Sequence, residues 1–200
     1  MRGPDIRGLL LCGGRASRFG SDKLLTEVSI GALAGPLVTH AARNLIAGVG
    51  NAVAVLPPGA ERLRAALLGA GCEILESDRT AEGMGASLAA GVEAADSADG
   101  WIVALGDMPL IPAAIFHAVR EALAGGALIA AVVDRASGQR GHPVGFSAAL
   151  RAELLALRGD VGARRVLAEH LFDLVTVPTD DPAIFFDVDT AEDLARLSAG

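Results

Sequence analysis

The sequence predicts a three-layer α/β/α sandwich around a mostly parallel, mixed sheet. Short apolar runs alternate with stretches of helical period along most of the chain. Prolines and glycines fall where helices would start and stop. Of the 200 residues, 52% are hydrophobic, enough to bury both faces of a sheet. Strand–helix alternation of this kind builds right-handed βαβ units.

In chain order, the predicted strands are Ile6–Leu11, Ala52–Leu56, Glu73–Leu75, Trp101–Leu105, Leu128–Val133, Val144–Phe146, Leu174–Val177 and Ile184–Phe186. Each is a short apolar or β-branched run bounded by turn residues. The predicted helices are Leu37–Ala47, Ala60–Leu68, Ala86–Ala94, Pro112–Leu123, Ser147–Ala156, Gly162–Leu171 and Thr190–Leu197. Pro36 and Pro112 suit helix starts, and Gly48, Gly69 and Gly125 suit helix ends. After Gly138 the repeat loosens into a loop and a strand, so an antiparallel strand is an option there. The length suits one domain over residues 1–200.

Composition narrows the function classes. The net charge is −7, which disfavours a nucleic-acid partner but leaves room for a small anion at a local cationic loop. Mean hydropathy is +0.44, yet no apolar run reaches the roughly 18 residues of a membrane span. Residues 1–6 do not read as a secretory signal, so a cytoplasmic location with no membrane partner is expected. The two cysteines, Cys12 and Cys72, are not spaced as a redox pair. Cys72 reads as a small core residue, and Cys12 lies beside the glycine loop where it would line a site. His40, His117, His142 and His170 lack metal-ligand spacing.

The chemistry concentrates in five segments. Leu11-Cys12-Gly13-Gly14-Arg15-Ala16-Ser17-Arg18-Phe19-Gly20-Ser21-Asp22-Lys23 follows the first strand directly. Its glycines expose backbone N–H groups, and three cations match a polyphosphate. Arg18 suits a two-pronged phosphate contact and Lys23 a point charge; Arg15 reads equally well as a solvated cation. Trp101–Leu105 runs into Gly106-Asp107-Met108-Pro109, which puts Asp107 at the ligand edge of the sheet. There it reads as a ligand for a hard cation such as Mg²⁺, or as a turn residue before Pro109. In Asp187-Val188-Asp189, alternation places both carboxylates on one face. Asp187 is favoured as the second metal ligand. Asp189 is favoured as a helix cap, three residues before Glu192, and Thr190 stands likewise before Asp193. Downstream of Asp78, Gly83-Met84-Gly85-Ala86-Ser87-Leu88 enters a helix through glycines, giving donors and room for a ribose or base. The fifth is a pair of stretches, Gly138-Gln139-Arg140-Gly141-His142-Pro143-Val144 and Gly159-Asp160-Val161-Gly162-Ala163-Arg164.

Together these segments resemble the molybdopterin nucleotidyltransferases. The first loop is similar to L-A-[AG]-G-x-x-x-R-x-G-x-x-K, with Leu11, Gly14, Arg18, Gly20 and Lys23 in register. The Gly-Asp-Met-Pro, Gly-Met-Gly-x-Ser-Leu and Gly-His-Pro-Val segments look like the molybdenum cofactor cytidylyltransferase branch. So does Asp-Val-Asp-Thr-Ala-Glu-Asp-Leu, in which Ala191 stands where that branch has proline. At the loop, Gly13 resembles the guanylyltransferase branch, and Cys12 matches neither.

The resemblance implies a Rossmann-like nucleotidyltransferase fold, with a nucleotide-binding part at about 1–110 and an acceptor-binding part at about 111–200. It implies a Mg²⁺-dependent transfer of CMP, with GMP as the alternative, from CTP or GTP to the phosphate of molybdopterin or molybdenum cofactor. It places the nucleotide at Leu11, Cys12, Gly13, Gly14, Arg15, Arg18, Lys23, Asp78, Gly83, Gly85 and Ser87. It places the acceptor at Arg140, Gly141, His142, Asp160 and Arg164, and Mg²⁺ at Asp107 and Asp187. Arg18, Lys23 and Asp107 would carry the catalysis, and a molybdoenzyme would be a transient partner. Two alternatives stay open: the same chemistry on a sugar phosphate or other acceptor, and a non-catalytic nucleotide or molybdopterin chaperone for a molybdoenzyme.

Overall fold

In the computed structural model, residues 3–13 and 23–198 are described. A seven-stranded sheet runs through the middle in the order β5-β4-β1-β6-β8-β7-β9. Its strands are β1 (Ile6–Leu11), β4 (Val53–Leu56), β5 (Glu73–Glu76), β6 (Gly100–Leu105), β7 (Ile129–Asp134), β8 (Arg140–Ser147) and β9 (Leu174–Thr179). β1, β4, β5 and β6 pair in parallel, as do β7 and β9; β8 runs antiparallel to both of its neighbours. The mixed α/β/α sandwich predicted from the sequence is the fold observed.

Both faces of the sheet's central strands are buried, as their apolar runs require. Alternation along β1 sends Ile6 and Leu10 to one face and Leu9 and Leu11 to the other. The first face packs on α1 (Leu37–Val49), α2 (Glu61–Gly69) and α4 (Ala113–Ala124). The second packs on α3 (Met84–Ala94), α5 (Arg151–Leu155) and α6 (Arg164–Glu169). Trp101 and Phe146, paired across β6 and β8, are fully buried in that second layer. Truncating either to alanine would cost about 3–5 kcal/mol.

Some expectations need correction. Ile184–Phe186 is not a strand: Pro182 opens a 3₁₀ turn over Pro182–Phe185, and the Asp181 carboxylate caps it by accepting from Ala183 N–H. The alternation argument for Asp187 and Asp189 therefore does not hold, although both carboxylates still meet. Gly48 is not a helix end but lies inside the last turn of α1. A Cβ there would stand 2.5 Å from Ala113 O and from Phe116 Cβ of α4, so the two helices meet at this glycine. The cap of α1 is Gly50, at φ 100°. The sequence reading also omits a hairpin, β2 (Glu27–Ile30) with β3 (Leu33–Pro36). Val28 and Leu37 from this region form a small core with Val188 and with Leu197 of α7 (Ala191–Ser198). No described helix is long and apolar enough to cross a membrane.

Candidate active site

The site is built where β1 and β6 end side by side. Gly106 N–H donates to Leu11 O (3.0 Å), which ties the two following loops together. Asp107 comes next, and its carbonyl accepts from Val188 N–H (3.0 Å). That bond draws residues 187–189 from the far end of the chain onto the end of β6.

Lys23 reaches the same point from the other side. A turn holds its backbone: Thr26 N–H donates to Lys23 O, and Leu37 N–H donates to Thr26 O. The side chain is nearly buried, and Nζ donates to Asp107 Oδ2 (3.1 Å) and Asp189 Oδ1 (2.9 Å). Burial alone would lower the lysine pKa; the Asp189 and Asp107 carboxylates outweigh it and hold the ammonium above its ordinary value. The Lys23 hydrogen bond in turn holds the Asp189 carboxyl below the usual range. Asp187 moves the other way, raised by burial and by the negative charge of Asp189 and Asp107. Asp189 is thus not the helix cap. Thr190 and Asp193 form the capping box reciprocally: Asp193 Oδ2 accepts from Thr190 N–H (2.9 Å), and Asp193 N–H donates to Thr190 Oγ1 (3.2 Å).

Beside this cluster lies a cavity of about 550 Å³. Leu88, Val103, Leu105, Ala131, Val144 and Phe146 supply much of its apolar wall, and Gln139, Arg140, His142, Arg164 and Asp187 its polar groups. Neither Arg140 nor Arg164 is in an ion pair with a described residue. His142 Nδ1 is buried with no hydrogen-bond partner among the described residues, and burial pushes the imidazole pKa down, so the ring is neutral. Gly141 fits tightly, since a Cβ there would lie 2.5 Å from Ile184 O.

The remaining predicted residues divide clearly. Leu11 lines the cavity, whereas Gly14, Arg15, Arg18 and Gly20 lie outside the described residues. Cys12 turns into the core: its N–H donates to Val55 O (2.9 Å), its Sγ to Leu10 O, and burial raises its thiol pKa well above normal. Neither its side chain nor its N–H is open to a nucleotide. Gly13 packs on Thr80, where an added Cβ would stand 2.6 Å from Thr80 Cβ.

Ser87 is fully buried and donates to Gly83 O (2.9 Å), a bond within the start of α3 rather than one offered to a ligand. Asp78 is exposed at the start of a 3₁₀ turn over Asp78–Glu82. Gly83 and Gly85 are not open to a ribose either. A Cβ on Gly83 would collide with the Asp160 carboxylate, and one on Gly85 would lie 2.9 Å from Gly159 O. These glycines seat the 158–162 loop against α3. Asp160 is part of that seat and is not among the residues lining the cavity. Sequence reasoning also missed Met84, Met108 and Phe185, which line the cavity, and Asp189 as the lysine's partner. The only sequence signal for Asp189 was its spacing from Asp187.

Residues 8–175 match the family of the MobA-like NTP transferase domain. The chain belongs to this family. As a MobA-like NTP transferase it moves an NMP unit from an NTP substrate. Among solved structures, the Rv0371c protein of Mycobacterium tuberculosis H37Rv is 26% identical over 100% of both chains, with a TM-score of 0.81. The same protein in complex with manganese gives 22% identity over 100% of both chains and a TM-score of 0.79. A nucleotidyl transferase from Methanothermobacter thermautotrophicus (Mth528) is 23% identical over 98% of this chain and 97% of the other, with a TM-score of 0.79. No curated protein matches the sequence significantly.

Proposed function

We propose that this MobA-like transferase joins CMP, with GMP as the alternative, to the phosphate of molybdopterin or molybdenum cofactor and releases pyrophosphate. The observation that carries the reading is that Asp187 belongs at once to the Lys23–Asp107 cluster and to the wall of the cavity. A triphosphate held at the cluster would have its reacting end beside whatever fills the cavity.

The donor set fits a hard divalent cation. Asp107 and Asp187 offer carboxylate oxygens, and the Asp187 carboxyl, raised first by burial and then by the charge of Asp189 and Asp107, sits where a cation would relieve that charge. Asp107 and Asp187 would hold Mg²⁺, in keeping with manganese binding by a protein of the same fold. When bound, the ion offsets charge on the triphosphate and polarises its α-phosphate.

The acceptor needs no general base. Its phosphate monoester has a second pKa of about 6, so an oxygen is free near neutral pH to attack the α-phosphorus. The bond to the bridging oxygen breaks, and its electron pair leaves with pyrophosphate. The protein's part is positioning and charge stabilisation. Arg18 and Lys23 would meet the charge growing on the leaving group, while Arg140 and Arg164 would hold the acceptor phosphate.

The largely apolar cavity wall favours a flat heterocycle over a sugar, whose hydroxyls would go unpaired against Met84, Leu105 and Phe185. The unpartnered, neutral His142 would bond the polar edge of such a ring. Gly13 does not by itself argue for guanine, because Thr80 already requires a glycine there.

The test is divalent-dependent pyrophosphate release with molybdopterin, offering CTP, GTP, ATP and UTP separately. Release with CTP or GTP, lost in Asp107→Ala, supports the reading. Turnover with a sugar phosphate but not molybdopterin moves the chain to the first alternative. Nucleotide binding without release from any pair moves it to the non-catalytic one.

A further inference from the structure

Among the described residues, no three His, Cys, Asp or Glu side chains converge as a ready metal site. Two of the three carboxylates at the end of β6 are bonded to an amine instead. Lys23 Nζ sits 3.1 Å from Asp107 and 2.9 Å from Asp189, and Asp187 interacts with both of those carboxylates. The lysine side chain is 10% exposed, so this is no casual surface pair. Its backbone is fixed by the turn into β2. The turn chemistry needs no ion pair here, and α7 has its own cap in Thr190 and Asp193. The pairing satisfies a nearly buried ammonium, but neither the turn nor the cap of α7 depends on it.

We propose that Lys23 is a resident counter-ion of the carboxylate cluster, so that a divalent cation enters only as the triphosphate draws Lys23 away. Three carboxylates and one ammonium leave a formal charge of −2 (−3 + 1), which one divalent cation would neutralise. Yet that cation must approach Asp107 while an ammonium is already bonded to it. An incoming triphosphate supplies a stronger anionic partner for Lys23 and removes the obstacle. Asp189 is the positioning residue: it is the second anchor that keeps Lys23 at the cluster in the unliganded enzyme. The consequence is binding order, with metal and nucleotide arriving together and free metal held off.

The inference rests on the metal assignment proposed above, and its test is separable from turnover. Mn²⁺ binding to the full chain is measured by EPR without nucleotide, for wild type, Lys23→Met and Lys23→Gln. Removing one positive charge a few ångströms from a dication raises affinity by at least about tenfold even with water-like screening. Both variants should therefore bind Mn²⁺ alone at least about tenfold more tightly than wild type, although both lose turnover. Adding Asp107→Asn to either variant should abolish the gain. Equal or weaker Mn²⁺ binding in a variant whose melting curve is wild-type overturns the proposal. So does a gain that survives Asp107→Asn, since the cation would then bind elsewhere. If wild type releases no pyrophosphate from any substrate pair while the Mn²⁺ gain appears, the functional reading fails and the counter-ion role stands.

Discussion

Gly13→Ala should destabilise the protein, and Thr80 should be the reason. Gly13 is outside the left-handed region, so alanine carries no backbone penalty there. The obstacle is steric. The new Cβ would stand 2.6 Å from Thr80 Cβ and 2.8 Å from its Cγ2. Thr80 cannot easily turn away, because it is buried and its Oγ1 donates to Ser77 O (2.8 Å). Overpacking of this kind costs about 1–3 kcal/mol, or roughly 2–12 °C in Tm for a chain of this size. Thr80→Gly alone should also destabilise, by about 2–3 kcal/mol, through its lost buried methyl and hydroxyl bond. Combined, the two exchange their bulk, so the double variant should be about 1–2 kcal/mol better than the sum. Urea denaturation of the four proteins measures this coupling. Additivity within about 0.5 kcal/mol, or a Gly13→Ala protein as stable as wild type, would refute the packing argument.

Other outcomes follow from the site and its surroundings. Lys23→Ala should lower kcat by on the order of 10²–10³; single-turnover kinetics with near-normal rates would remove Lys23 from the chemistry. His170 is held above its ordinary pKa first by Glu153, whose carboxylate lies 2.9 Å from Nε2, and further by Asp173. A pKa raised by folding stabilises fully below the unfolded value of about 6.5 and ceases to do so as pH rises through the folded value. The wild-type advantage over His170→Gln in urea midpoint should thus be full below about pH 6.5 and shrink as pH rises above it; a constant advantage contradicts it. Burial pushes the Cys72 thiol to about 11 and the Cys12 thiol well up, so both should resist iodoacetamide in the folded protein and react on unfolding. Rapid native labelling of either would show that the thiol is not buried.

Much of the architecture was readable because β1, β4, β6 and β7 are buried on both faces and so appear as unbroken apolar runs. The hairpin of β2 and β3 was not. Its strands are four residues each, half exposed, and interrupted by Gly35 and Pro36. Ile184-Phe185-Phe186 misled for the opposite reason: an apolar run alone cannot tell a strand from a buried turn, and Pro182 with Asp181 decided it. At the site, Asp107 was legible as a carboxylate ending a strand. The partnership of Lys23 with Asp189 was not, because 166 residues separate them and two capping patterns overlap at Asp189 and Thr190. Ser87, Gly83 and Gly85 carried the right residue types, but those types serve a helix start and a seated loop equally well.

The reversed strand β8 has a consequence for how such a chain can diverge. Running against β6 and β7, it delivers its opening residues, Arg140 to His142, where its neighbours deliver their closing ones. Those residues follow an exposed turn held by Asp134, whose carboxylate accepts from Ser137 N–H and Oγ–H. Insertions or substitutions in that turn would reshape what the cavity accepts while leaving β1, β6 and the lysine–carboxylate cluster untouched. On the proposed function, heritable change in acceptor would thereby be uncoupled from heritable change in phosphate chemistry.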